Sequence, residues 1–238
     1  MIYRFPILTS TNDEAVKPAY REGDIIIAES QTAGRGQRGH TWESAEKQNL
    51  TFTLVLEPAF LAPEKQFLLS EAVALGLVDT LAEFGIGAQI KWTNDIYVGD
   101  RKICGVLIEH DLRGANLART IVGIGLNVNQ VEFDPALPNP ISMQQIAGHE
   151  FDREEVLQTL SRKIMARYDH LAEGDSEGLQ RDYHALIYRR DEAHTYRLPD
   201  GTPFEGTIRR VEADGTLIVE HSDGSEHGYL FKQIEFVI

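Results

Sequence analysis

The chain has 238 residues, 42% hydrophobic and 25% charged, the balance of a folded protein with room for one main core and a smaller second one. A net charge of −14, from 37 acidic against 23 basic side chains, excludes a broad nucleic-acid footprint, which needs many cations to release counterions. One cysteine, Cys104, excludes an internal disulfide and a cysteine-based zinc site, and no run of about 18 apolar residues offers a membrane span.

In chain order, residues 2–8 read as a strand that passes into a helix at residues 10–12, where Ser10 with Asp13, or Thr11 with Glu14, has the spacing of a capping box. Residues 24–28 (DIIIA) form a buried strand that feeds the glycine-rich stretch TAGRGQRGHTW at 32–42, and residues 49–56, which alternate faces in part, form a half-buried strand after it. Residues 63–84 keep a helical period until Gly85 stops it. Four strand-like runs follow at 89–92, 95–98, 102–109 and 120–128, which together predict a mixed or antiparallel sheet. Residues 152–172 and 177–188 read as two more helices. From Thr195 onward, short strands broken by PDG, DG and DG predict a small barrel of hairpins, with a domain boundary near residue 190.

Glycines at 34, 36 and 39 let the loop approach a ligand closely, while Arg35 and Arg38 offer forked hydrogen bonds to carboxylate or phosphate oxygens. The loop satisfies GxGxxG formally but leads into HTW rather than an apolar helix, which argues against a dinucleotide fold. Three further stretches cluster chemistry on strands: KWTNDI at 91–96, RKICGVLIE at 101–109 and GIGLNV at 123–128. Taken singly, each has an ordinary reading as solvated charge, turn, bulge or strand-end cap.

In this order and spacing, and with STN at 10–12 and QTAGRGQRG at 31–39, these stretches resemble the biotin protein ligases. The resemblance is dense over residues 1–130. It implies an α+β catalytic domain at 1–190, a mixed sheet with flanking helices of the class II synthetase kind, followed at 191–238 by a C-terminal SH3-like β-barrel. It also implies a short form without a DNA-binding domain or repressor role. The implied reaction is activation of biotin by ATP to biotinyl-5'-AMP with loss of pyrophosphate, then transfer to a lysine of the biotin carboxyl carrier domain of a carboxylase, in the cytoplasm.

By the same resemblance, Lys102, Arg35 and Asp95 are the catalytic residues, Lys102 being the cation that holds carboxylate and phosphate oxygens through both steps. Ser10, Thr11, Asn12, Gln31, Gly34, Arg35, Lys102 and Gly105 would bind biotin; Arg35, Arg38, Trp42, Asn127 and Lys102 would bind ATP, with Trp42 stacking on adenine and Asn127 on its edge. Asp95 would hold Mg²⁺ or orient the incoming amine. Lys232 is a further candidate for the nucleotide. Gln37 stands where the family usually has arginine, which implies weaker anion binding at that point, and His40 and Thr93 also depart from the usual pattern. Family members pair sheet edges into homodimers, an assembly this sequence leaves open. A lipoate or octanoate ligase or transferase, a non-catalytic biotin sensor and a carrier-docking module are the competing readings.

Overall fold

The computed structural model describes residues 1–37, 41–114 and 116–238. The chain opens with β1 (Ile2–Leu8), turns through the short helix α1 (Thr11–Ala15) and returns as β2 (Ile25–Gln31). A crossover of this kind permits parallel pairing, and Ile2 lies opposite Ile25 and Leu8 opposite Gln31. β3 (Leu50–Leu56) is buried along its whole length rather than half-buried as expected, because it lies inside the sheet between β2 and β7. A 3-10 turn at Pro63–Lys65 then leads into α2 (Phe67–Glu83). Next come β4 (Gln89–Lys91), β5 (Asp95–Val98) and a long hairpin of β6 (Arg101–Arg113) and β7 (Asn116–Leu126). The seven strands make one mixed sheet in the order β1-β2-β3-β7-β6-β5-β4.

Three helices complete this part: α3 (Met143–Ala147), α4 (Arg153–Ala172) and α5 (Ser176–Ala185). α2 is apolar around most of its circumference, as a helix enclosed on several sides must be, and α4 and α5 pack against it. At the α2–α4 crossing a Cβ on Gly76 would lie 2.7 Å from Ile164 Cα, so the helices approach closer than any side chain allows.

The second sheet contains β8 (Ala193–Arg197), β9 (Pro203–Val211), β10 (Leu217–His221), β11 (Glu226–Tyr229) and β12 (Glu235–Phe236). It is antiparallel in the order β11-β10-β9-β8-β12. The expected barrel is thus a five-stranded sheet, compatible with an SH3-like fold, in which β11 and β12 are not paired to each other among the described residues. It docks on the first part through Trp92, whose Nε1 donates to the Gly215 carbonyl at 2.9 Å in the β9–β10 turn. Among the described residues, no helix is long and apolar enough to cross a membrane.

Three local expectations change. No capping box forms at α1: Ser10 makes no side-chain cap bond, and the Thr11 N–H donates instead to Gln31 Oε1 at 2.7 Å. A capping box does form at α3, between Ser142 and Gln145, a helix the apolar periodicity misses. The last helix stops at Ala185 rather than 188, because Leu186 and Tyr188 leave it to bond the backbone of Ile90.

Candidate active site

β6 and β7 supply a bare floor. Gly105 lies opposite Gly125, and a Cβ on Gly125 would sit 2.1 Å from Trp42 Cε2, so the indole can lie on the sheet only because glycine is there. Lys102 reaches the same patch, with its Nζ 5.9 Å from the Trp42 ring centre and 2.7 Å from Asp95 Oδ1. β5 and β6 place this pair in adjacent strands, and both side chains stay about one-third exposed, at 31% and 28%. An ion pair of this kind is open to exchange with an incoming anion.

At the other end, polar side chains are fixed by one another. Thr53 Oγ1 is fully buried and lies 2.6 Å from Asn12 Oδ1 and 2.9 Å from Thr11 Oγ1. Asn12 Nδ2 donates to Glu109 at 2.8 Å, and the Arg35 guanidinium grips both oxygens of Glu109 at 2.9 and 2.8 Å while also bonding Asp13. Burial works to raise the Glu109 pKa, but Arg35 and Asn12 outweigh it and hold the carboxylate below its usual range; Glu109 in turn raises Arg35. The network leaves a small, preset array of donors and acceptors.

The described residues of the glycine loop border this floor. Trp42 N–H donates to the Gly34 carbonyl at 3.1 Å, and Arg35 bridges to Thr41. Gln37 Nε2 donates to Asn94 Oδ1 at 2.6 Å and lies 3.3 Å from the Thr93 hydroxyl, which itself donates to Asn94. Two positions that depart from the family pattern, Gln37 and Thr93, therefore meet each other. A neutral hydrogen-bond cluster ties the loop to the β4–β5 turn.

Ser10, Thr11, Asn12, Gln31, Arg35, Trp42, Asp95, Lys102 and Gly105 line one cleft of about 810 Å³, and Lys232 lines it too. Gly34 anchors the base of the loop. Asn127 stands apart: it is 4% exposed, and its Nδ2 donates to the Ile141 carbonyl at 3.0 Å. Arg38 and His40 lie outside the described residues. Asp95 is one carboxylate and no more: among the described residues, no three metal-ligating side chains cluster anywhere.

Sequence reasoning gave no role to Thr53, Glu109 or the second-sheet wall of Leu198, Phe231 and Phe236. Thr53 had a signal, since threonines at 51 and 53 interrupt an otherwise apolar strand. Apart from Lys232, the wall had none, because it is made by segments well beyond the last motif at 123–128.

The sequence profile of the biotin/lipoate A/B protein ligase family matches residues 4–127, more than half of the chain. The chain belongs to this family. The bifunctional ligase/repressor BirA of Bacillus subtilis is 31% identical over 94% of this chain and 70% of its own length. The biotin--[acetyl-CoA-carboxylase] ligase of Paracoccus denitrificans is 35% identical over 64% of this chain and 66% of its own. Among solved structures, the biotin protein ligase from Aquifex aeolicus in complex with biotin and ATP covers 99% of this chain and 98% of that one at 24% identity, with a TM-score of 0.84. That likeness is one of fold, and it takes in both sheets of this family member.

Proposed function

We propose that the chain is an ATP-dependent biotin protein ligase that makes biotinyl-5'-AMP and passes biotin to a lysine of a carboxyl carrier domain. One observation carries the reading: a single cleft joins the polar array of residues 10–12 and 31, backed by the buried Thr53, to Lys102 and the indole of Trp42. A ureido ring needs donors and acceptors set to match it, and an adenylate needs a cation beside its α-phosphate and a flat surface for its base.

In the first step a carboxylate oxygen of biotin bonds to the α-phosphorus and pyrophosphate leaves. Lys102, released from Asp95, would neutralise charge on the carboxylate and α-phosphate oxygens. In the second step the acceptor amine attacks the acyl carbon and AMP leaves, with Lys102 again beside the departing phosphate. Arg35 would exchange Glu109 and Asp13 for the ligand, and Gly34 and Gly105 would let backbone come close to the ring. Asp95 fits Mg²⁺, an ion commonly held by one or two carboxylates with phosphate oxygens and water completing its shell. Freed from Lys102, Asp95 could equally orient the acceptor amine. Trp42 is the adenine surface. Asn127 would act on the adenine edge only after giving up Ile141, and Arg38 is assigned to the phosphates by resemblance alone. The acidic charge favours a ligase without a repressor role.

The test is mass spectrometry of a biotin-carrier domain incubated with the protein, biotin and Mg·ATP, with lipoate in parallel. A gain of one biotin is expected. Removing the Lys102 cation by Lys102→Ala should slow the gain by about a hundredfold or more. A gain from lipoate instead, or an unslowed variant, would refute the reading.

A further inference from the structure

Lys91 ends β4 with its Nζ 5.1 Å from the centre of the Tyr97 ring and 4.9 Å from that of Phe236. The ammonium is thus held between an aromatic ring of the first sheet and one of the second. Lys102 has Asp95 as a partner, but no hydrogen bond or ion pair joins the Lys91 ammonium to any acceptor among the described residues. Ring faces attract a cation but do not neutralise it. Burial accordingly presses the Lys91 pKa below its usual value, with Asp95 pulling it up and Lys102 pushing it down. Lys91 also lines the same cleft as Lys102 and Trp42. A desolvated cation that faces a cleft with no carboxylate bonded to it is a site prepared for an anion.

Its position says which anion. The charged groups that act on Lys91 are Asp95, Lys102, Arg189 and Glu235, and none belongs to the polar end built by residues 10–12, 31 and 109. A carboxylate anchored at that end meets Lys102 first. What lies beyond the α-phosphorus is left for the side of the cleft where Lys91 and the second sheet meet.

We propose that Lys91 is a second phosphate-recognising cation of the cleft, placed to take the oxygens of the departing diphosphate, and that Phe236 positions it from the C-terminal sheet. The inference rests on the adenylating reading above. As the carboxylate oxygen bonds to the α-phosphorus, the bond to the bridging oxygen breaks and its electron pair stays on pyrophosphate. Lys91 stabilises that growing charge as an ammonium and gives up no proton.

The probe is inorganic pyrophosphate, used with the full chain. Lys91→Met keeps most of the unbranched side chain and removes its charge; it should weaken pyrophosphate inhibition and raise the KM for ATP by about tenfold or more, while biotin affinity without nucleotide stays within about twofold. Phe236→Leu keeps the lysine and removes one ring, and it should shift pyrophosphate inhibition the same way by a smaller factor. A lysine that only fills space between domains would not produce that second shift. Should Lys91→Met fail to fold by circular dichroism, Lys91→Gln takes its place. Unchanged pyrophosphate inhibition in a variant that binds biotin normally overturns the proposal. If the wild-type protein forms no adenylate with biotin, yet calorimetric binding of ATP and pyrophosphate still depends on Lys91, the biotin reading falls and the assignment of Lys91 stands.

Discussion

Glu71 lies inside α2 at 0% exposure, and neither of its carboxylate oxygens has a hydrogen-bond partner among the described residues. Burial pushes its carboxyl from an ordinary 4.5 up to about 8. The unfolded chain releases this proton near 4.5 and the folded one only near 8, so between those values the unfolded state binds fewer protons. Stability is therefore full below about pH 4.5, falls as pH rises toward 8 and levels off above it. Glu71→Leu should erase that slope and stabilise the protein at pH 8 by on the order of 3 kcal/mol. Denaturation at pH 5 and pH 8 checks this; a wild-type-to-variant difference that stays constant with pH would rule it out. The residues that line the candidate site contrast with Glu71 in how far the sequence points to them. The sequence singles out Ser10, Asn12, Arg35, Asp95 and Lys102, which line the cleft, because their motifs are local. Lys91 and Glu109 are given no role, because their meaning depends on Phe236 and Arg35, partners distant along the chain that no spacing rule connects.

At the scale of elements, the α2–α4 crossing sets two effects against each other at Gly76. Alanine there would gain about 1 kcal/mol in helix propensity, but its Cβ would press on the Ile164 backbone, which cannot rotate away, at a cost of about 1–3 kcal/mol or more. The clash should prevail, and Gly76→Ala should unfold at lower denaturant, by about 1 kcal/mol or more in free energy. A variant more stable than wild type would mean that the helices can part. The main elements were legible where burial acts along a whole face, as in β2, β3 and α2. Element ends were not. The capping pattern at Ser10 was outcompeted by Gln31, which reaches the Thr11 N–H from another strand, and the tail of α5 was taken by Ile90. A propensity reads its neighbours in sequence, whereas these hydrogen bonds belong to neighbours in space.

For the whole molecule, the two sheets share one cleft, and the second is a wall of it rather than an appendage. Composition alone indicated that a second unit exists but not where it sits. The dense motifs end near residue 130, and the shared wall comes from residues beyond 190. The Trp92 bond to Gly215 and the Phe236 ring over Lys91 join the two sheets through groups adjacent to the site. The placement of the chain's two tryptophans has an optical consequence. Trp92 is 6% exposed and sealed under the β9–β10 turn, whereas Trp42 lies in the cleft with its indole nitrogen unpartnered among the described residues. A ligand that stacks there should quench and shift only the Trp42 emission, so a Trp92→Phe variant would report occupancy by fluorescence without any label. Nucleotide that binds by calorimetry yet leaves this emission unchanged would show that the base rests elsewhere. Where the emission does respond, Trp42 gives the protein its own spectroscopic gauge of how full the cleft is.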